Sequence, residues 1–181
     1  MKTSSALLIS AFAIILTVLS GCTTDSGFSF QEPTFDSVPD PFDIGQAEEE
    51  PVVDGVTKYT VEEGRGVDQV VIRDQVAIFI TLRAEDGTII YSSYQNDSES
   101  PVQASVQNIT TPRPPSTVRS FTFERARTDG LRKGMIGMRE GEKRVIVVPP
   151  AQGFELIGSG SINDAYREDT LRYDVELDFI F

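Results

Sequence analysis

The sequence has no histidine, no tryptophan and a single cysteine among its 181 residues. Histidine is the usual general base and the commonest metal ligand. Its absence excludes Ser-His-Asp and Cys-His sites and disfavours a zinc centre, so no metal and no cofactor are expected. One cysteine cannot close a disulfide within the chain. Basic residues are also scarce: 16 Lys and Arg stand against 28 Asp and Glu, a net charge of −12. No basic stripe is present to neutralise phosphates, which disfavours nucleic acid as a partner. The apolar run Ala6 to Leu19 is shorter than the roughly 20 residues a membrane-spanning helix needs.

What is there begins with a targeting segment. Lys2 supplies a positive start, the apolar run follows, and Leu19-Ser20-Gly21-Cys22 closes it. This last tetrad resembles a bacterial lipobox. The resemblance implies that residues 1–21 are a lipoprotein signal peptide and that Cys22 is lipidated. The lipid bilayer would then be a partner, and the cell envelope, on its periplasmic side, the location. An uncleaved anchor, or an ordinary signal peptide with a chance cysteine, is the alternative. Several acyl chains hold a protein stably where one does not. Thr23 stands where Asp would signal inner-membrane retention, so the outer membrane is expected.

Residues 23–55 carry nine acids (Asp25, Glu32, Asp36, Asp40, Asp43, Glu48, Glu49, Glu50 and Asp54) and no Lys or Arg. Pro33, Pro39, Pro41 and Pro51 lie among them, with Ser and Gly. Such a composition predicts that 22–55 is a disordered acidic tether, spanning about 30 Å on average and about 100 Å when extended. Phe28, Phe30, Phe35 and Phe42 are unusual in a spacer. They are either scattered apolar residues or anchors for a partner.

A domain is expected over 56–181. Thr57 to Glu62, Val76 to Arg83, Thr88 to Tyr91, Phe121 to Phe123, 143–148 and 170–180 read as strands. Glu85-Asp86-Gly87 is a hairpin signal. Leu131, Met135 and Met138 recur at helical spacing, with Thr128 as N-cap and Asp129 in the first turn of a helix over 128–136. Pro149 and Pro150 stop the strand before them. In the last strand Leu171, Tyr173, Val175, Leu177 and Phe179 alternate with charged residues, predicting one wet face and one face on the helix. The class is α+β: a twisted, mostly antiparallel sheet of five to six strands wrapping one short helix. Residues 94–120, with Pro101, Pro112, Pro114 and Pro115, fit no element and are expected to be a loop insertion.

Five blocks then occur in order: Glu63-Gly64-Arg65-Gly66; Asp74-Gln75-Val76; Glu85-Asp86-Gly87 followed by Tyr91-Ser92-Ser93; residues 130–150; and Thr170-Leu171 with Tyr173 to Leu177. Together they resemble FKBP-type peptidyl-prolyl isomerases over about residues 56–181. The resemblance implies an apolar cup that grips a proline ring in a polypeptide and catalyses without covalent chemistry. It places Ile80, Ile90, Tyr91, Thr128, Leu131, Phe154 and Tyr173 around that cup, with Phe121 or Phe123 as a further wall. Several positions depart from the family pattern. Leu131 stands for the floor Trp, Ile80 for a Tyr, Ile90-Tyr91 for Phe-Asp, Arg127-Thr128 for Val-Ile, and Phe154 for a Tyr.

For Ile80 and Leu131, plain core packing is an equally good reading. Tyr91 is large enough to fill the cup itself. The segment Thr111-Pro112-Arg113-Pro114-Pro115 could dock a proline into its own domain's cup, or be a solvated loop. Three functions stay open. One is a monomeric, exported isomerase acting on proline-containing segments of envelope proteins. The second is a peptide-binding or chaperone module with an eroded cup, and the third an envelope scaffold held through the tether.

Overall fold

Val76, Ile78, Ile80 and Leu82 alternate along one strand, and all four are fully buried. That strand is central to the computed structural model, which describes residues 32–181 as one compact unit. The signal segment, Cys22 and the start of the tether fall outside the described residues. The strands are β1 (Glu49–Pro51), β2 (Thr57–Glu62), β3 (Gln75–Arg83), β4 (Ile89–Ser92), β5 (Val102–Ser105), β6 (Lys143–Val148) and β7 (Leu171–Ile180). Among the described residues the single α-helix, α1, is Asp129–Met135. Every strand pairing is antiparallel, and the order is β1-β2-β6-β7-β3. β4 and β5 then share the far edge of β3, β4 along Thr81–Arg83 and β5 along Gln75–Ile78. The class is the expected α+β, an antiparallel sheet around one short helix.

Helix α1 starts where its cap dictates. Thr128 has extended backbone, and its hydroxyl accepts from Leu131 N at 3.0 Å. Its far end is closed by a side chain from β6. The buried Arg144 guanidinium donates to the carbonyls of Gly134 at 2.6 Å and Ile136 at 3.2 Å. These are the unpaired carbonyls of a helix C-terminus, where a cation is favoured. Glu142 pairs with Arg144 at 2.5 Å and is itself buried. The helix lies so close to β6 that a Cβ on Gly130 would sit 2.3 Å from Val148 Cγ1. One on Gly134 would sit 2.3 Å from Ile146 Cγ2.

Four expectations need correction. Residues 121–123 form no strand; the chain instead makes one turn of 3-10 helix at Phe123–Ala126. The insertion 94–120 is not structureless, since Val102–Ser105 forms β5 and Val106, Ile109 and Val118 are buried. The alternation of β7 breaks near its end. Ile78 pairs Leu177 but Ala77 pairs Phe179, so Asp178 is an extra residue. Such a bulge turns later side chains over: Phe179 is exposed and Ile180 packs on the core.

The fourth concerns the tether, which from Glu32 onward is not a free spacer. Thr34 and Asn96 exchange hydrogen bonds, Thr34 N to Asn96 Oδ1 at 3.0 Å and Asn96 N to Thr34 O at 2.9 Å. Arg83 donates to Pro39 O at 2.8 Å and Arg172 to Phe42 O at 2.5 Å. Asp174, buried between these two arginines, accepts from both. Phe42 lines a recess with Phe79 and Tyr94. The face of the sheet expected to be wet is therefore partly covered by an N-terminal strap. Its prolines and phenylalanines supply carbonyls and packing, and β1 adds an edge to β2.

Candidate active site

The elements converge at the N-terminal end of α1. β3 brings Ile80, β4 brings Ile90 and Tyr91, the cap and first turn bring Thr128 and Leu131, the loop after β6 brings Phe154, and β7 brings Tyr173. Ile80, Ile90, Leu131, Phe154 and Tyr173 are fully buried and Tyr91 is 5% exposed; all six lie in one apolar cluster. Phe123 packs against that cluster, its ring 6.1 Å from Tyr91 and tilted by 60°. The Arg125 guanidinium lies 4.9 Å from the Phe121 ring centroid. Of the two phenylalanines considered for the further wall, Phe123 is the one placed there. Ile109 and Ile157 belong to the same buried cluster.

A short polar relay crosses this apolar ground. Tyr173 Oη donates to Ala126 O at 2.9 Å and lies 2.9 Å from Thr128 Oγ1. Since the one phenolic proton is given to Ala126, the Thr128 hydroxyl is the donor to Tyr173. Thr128 in turn accepts from Leu131 N. Both hydroxyls are thus used internally. Burial pushes the Tyr173 phenol up, with a smaller opposing effect from the Thr128 bond. Burial likewise pushes the Tyr91 phenol up to about 12. Neither group ionises near neutral pH, so these residues offer apolar walls and neutral dipoles.

Two features here were not legible from the chain. Thr111, from the insertion, donates to Gly153 O at 2.9 Å and accepts from Asp129 N at 3.1 Å. It ties the insertion to the start of α1 and to the loop that carries Phe154. Pro114 and Pro115 are exposed, so neither fills the cup, and the half-buried Pro112 lines a polar recess beside the insertion. Asn163 and Arg125 clasp each other, through Arg125 Nε to Asn163 Oδ1 at 3.0 Å and Asn163 Nδ2 to Arg125 O at 2.7 Å. That clasp fixes the 3-10 turn behind Phe123.

The FKBP-type peptidyl-prolyl cis-trans isomerase family model matches residues 66–178, which is most of the chain. This chain belongs to that family. Among solved structures it is similar to FkpA from Escherichia coli, at 20% identity and a TM-score of 0.54. That match covers 73% of this chain and 51% of the other, so this chain spans about half the length of that relative. It is also similar to a peptidyl-prolyl cis-trans isomerase from Pseudomonas syringae pv. tomato, at 18% identity and a TM-score of 0.52, covering 73% and 80%. The N-terminal domain of FKBP42 from Arabidopsis thaliana matches at 15% identity and a TM-score of 0.57, covering 80% and 98%. At these identities the structures speak for the FKBP fold. No curated protein matches the chain.

Proposed function

We propose that this FKBP-type chain is a lipid-anchored prolyl isomerase of modest turnover that assists the folding of exported envelope proteins. The observation that carries the isomerase part is the convergence of Ile80, Ile90, Leu131, Phe154 and Tyr173, from separate strands, a helix start and a loop, on one apolar site in a family member. Rotation about a prolyl amide is slowed by amide resonance, with a barrier of about 18–20 kcal/mol. A dry apolar site favours the twisted, less dipolar amide over the planar one, which lowers the barrier without a covalent step. Turnover is modest because the hydroxyls of Thr128 and Tyr173 bond each other and the backbone.

The same internal bonding favours a second reading, a peptide-binding or chaperone module with little catalysis. Magnetisation-exchange NMR on a prolyl peptide separates the two, since only the first requires faster cis-trans exchange. The anchor rests on Leu19-Ser20-Gly21-Cys22, and Thr23 favours the outer membrane. Expression in a diderm bacterium with labelled fatty acid should label the chain and not its Cys22→Ala variant. Equal labelling of the two, or none, would remove the lipid anchor from the proposal.

A further inference from the structure

A polar recess of about 310 Å³ adjoins the cup, between the insertion and the 3-10 turn before α1. Thr110, Ser116 and Thr117 line it from the insertion side, and Arg127 faces them. Arg127 has an unfilled capacity: its Nε is buried and has no hydrogen-bond partner among the described residues. The nearest carboxylate is that of Glu124, 3.7 Å from Nη2 and 56% exposed, too far for a hydrogen bond. Arg113, at the rim, is already paired with Asp129 at 2.9 Å. A buried donor without an acceptor is costly, and the planar guanidinium fork suits a carboxylate.

The lining of the recess is tied to the residues of the cup at two points. Arg127 immediately precedes Thr128, whose hydroxyl bonds Tyr173. Thr111 lines the recess and bonds the carbonyl of Gly153, next to Phe154. Successive Cα atoms are about 3.8 Å apart, so a proline held in the cup brings its neighbour's side chain to this recess. Resting on the isomerase reading above, we propose that Arg127 is a specificity-determining residue that selects prolyl bonds flanked by Asp or Glu.

The test is kcat/KM by exchange NMR with the full chain on short peptides containing Glu-Pro, Pro-Glu, their Gln counterparts, and Leu-Pro. At least one acidic peptide should exceed its Gln counterpart by about fivefold, the worth of one hydrogen bond. That ratio should fall toward one in 0.5 M salt and in Arg127→Gln. Glu124→Gln, an exposed change that removes the competing carboxylate, should raise it. Ratios near one in the unmodified chain, or a ratio that survives Arg127→Gln, would overturn the proposal. Failure to accelerate any peptide, Leu-Pro included, would instead remove the isomerase reading. Dissociation constants for the same peptide pairs would then decide the role of Arg127 by the same ratio. Absence of acidic-peptide binding at millimolar concentration would overturn it.

Discussion

The hydroxyls of Tyr173 and Thr128 bond each other and the backbone, in a place where water does not reach. Tyr173→Phe removes the acceptor of the Thr128 hydroxyl and the donor to Ala126 O. It should cost about 1–3 kcal/mol, read as a shift in urea midpoint without a change in m-value. Alkaline pH probes Tyr91. Its phenol ionises near pH 12 in the fold and near about 10 in the unfolded chain. The unfolded chain therefore loses this proton first as pH rises. The contribution is complete below pH 10 and is lost from about 10 to 12. Urea midpoints of Tyr91→Phe should fall less steeply over that window than those of the parent; parallel decline would contradict the assignment. At this scale the sequence shows which residues are apolar and where Tyr173 falls in an alternating strand. It does not show that Arg144 turns inward. A basic residue at the start of a strand reads as solvated until the helix whose carbonyls it caps is in place.

Between elements, the contact of α1 with β6 rests on two glycines. Gly130→Ala and Gly134→Ala each gain helix propensity but place a Cβ within 2.3 Å of a β6 methyl. The steric cost should prevail, by about 1–3 kcal/mol, measured by denaturant titration; a neutral result would mean the helix moves off freely. The strap depends on Asp174. Asp174→Asn leaves Arg83 buried beside a neutral group and should cost about 3–5 kcal/mol. The same change should make residues 32–43 more readily cleaved in limited proteolysis. β2, β3, β4, β6, β7 and α1 were legible because each carries a period and a boundary signal. β1 and β5 were not: each is too short to display a period. The acids and prolines of the strap read as disorder because its partners, Arg83 and Arg172, lie far along the sequence. The bulge that turns Phe179 outward is set by the register of β7 on β3, which no local pattern reveals.

As a whole, the molecule joins a family fold to a site whose lining departs from the family's. The apolar character of the cup was legible position by position from the resemblance, and the structure brings those positions together. That Ile109 and Ile157 join the core was not legible, because Ile109 comes from an insertion and Ile157 from a loop, both outside the matching blocks. The recess at Arg127 likewise forms only when the insertion folds back over the turn before α1. The central claim is that this apolar site, with its departures from the family's lining, still turns prolyl bonds. Magnetisation-exchange NMR on a Leu-Pro peptide, with and without a substoichiometric amount of the full chain, tests it most directly. The account predicts faster cis-trans exchange that scales with protein concentration and disappears on unfolding. Exchange at the uncatalysed rate, at every protein concentration up to equimolar, would contradict it.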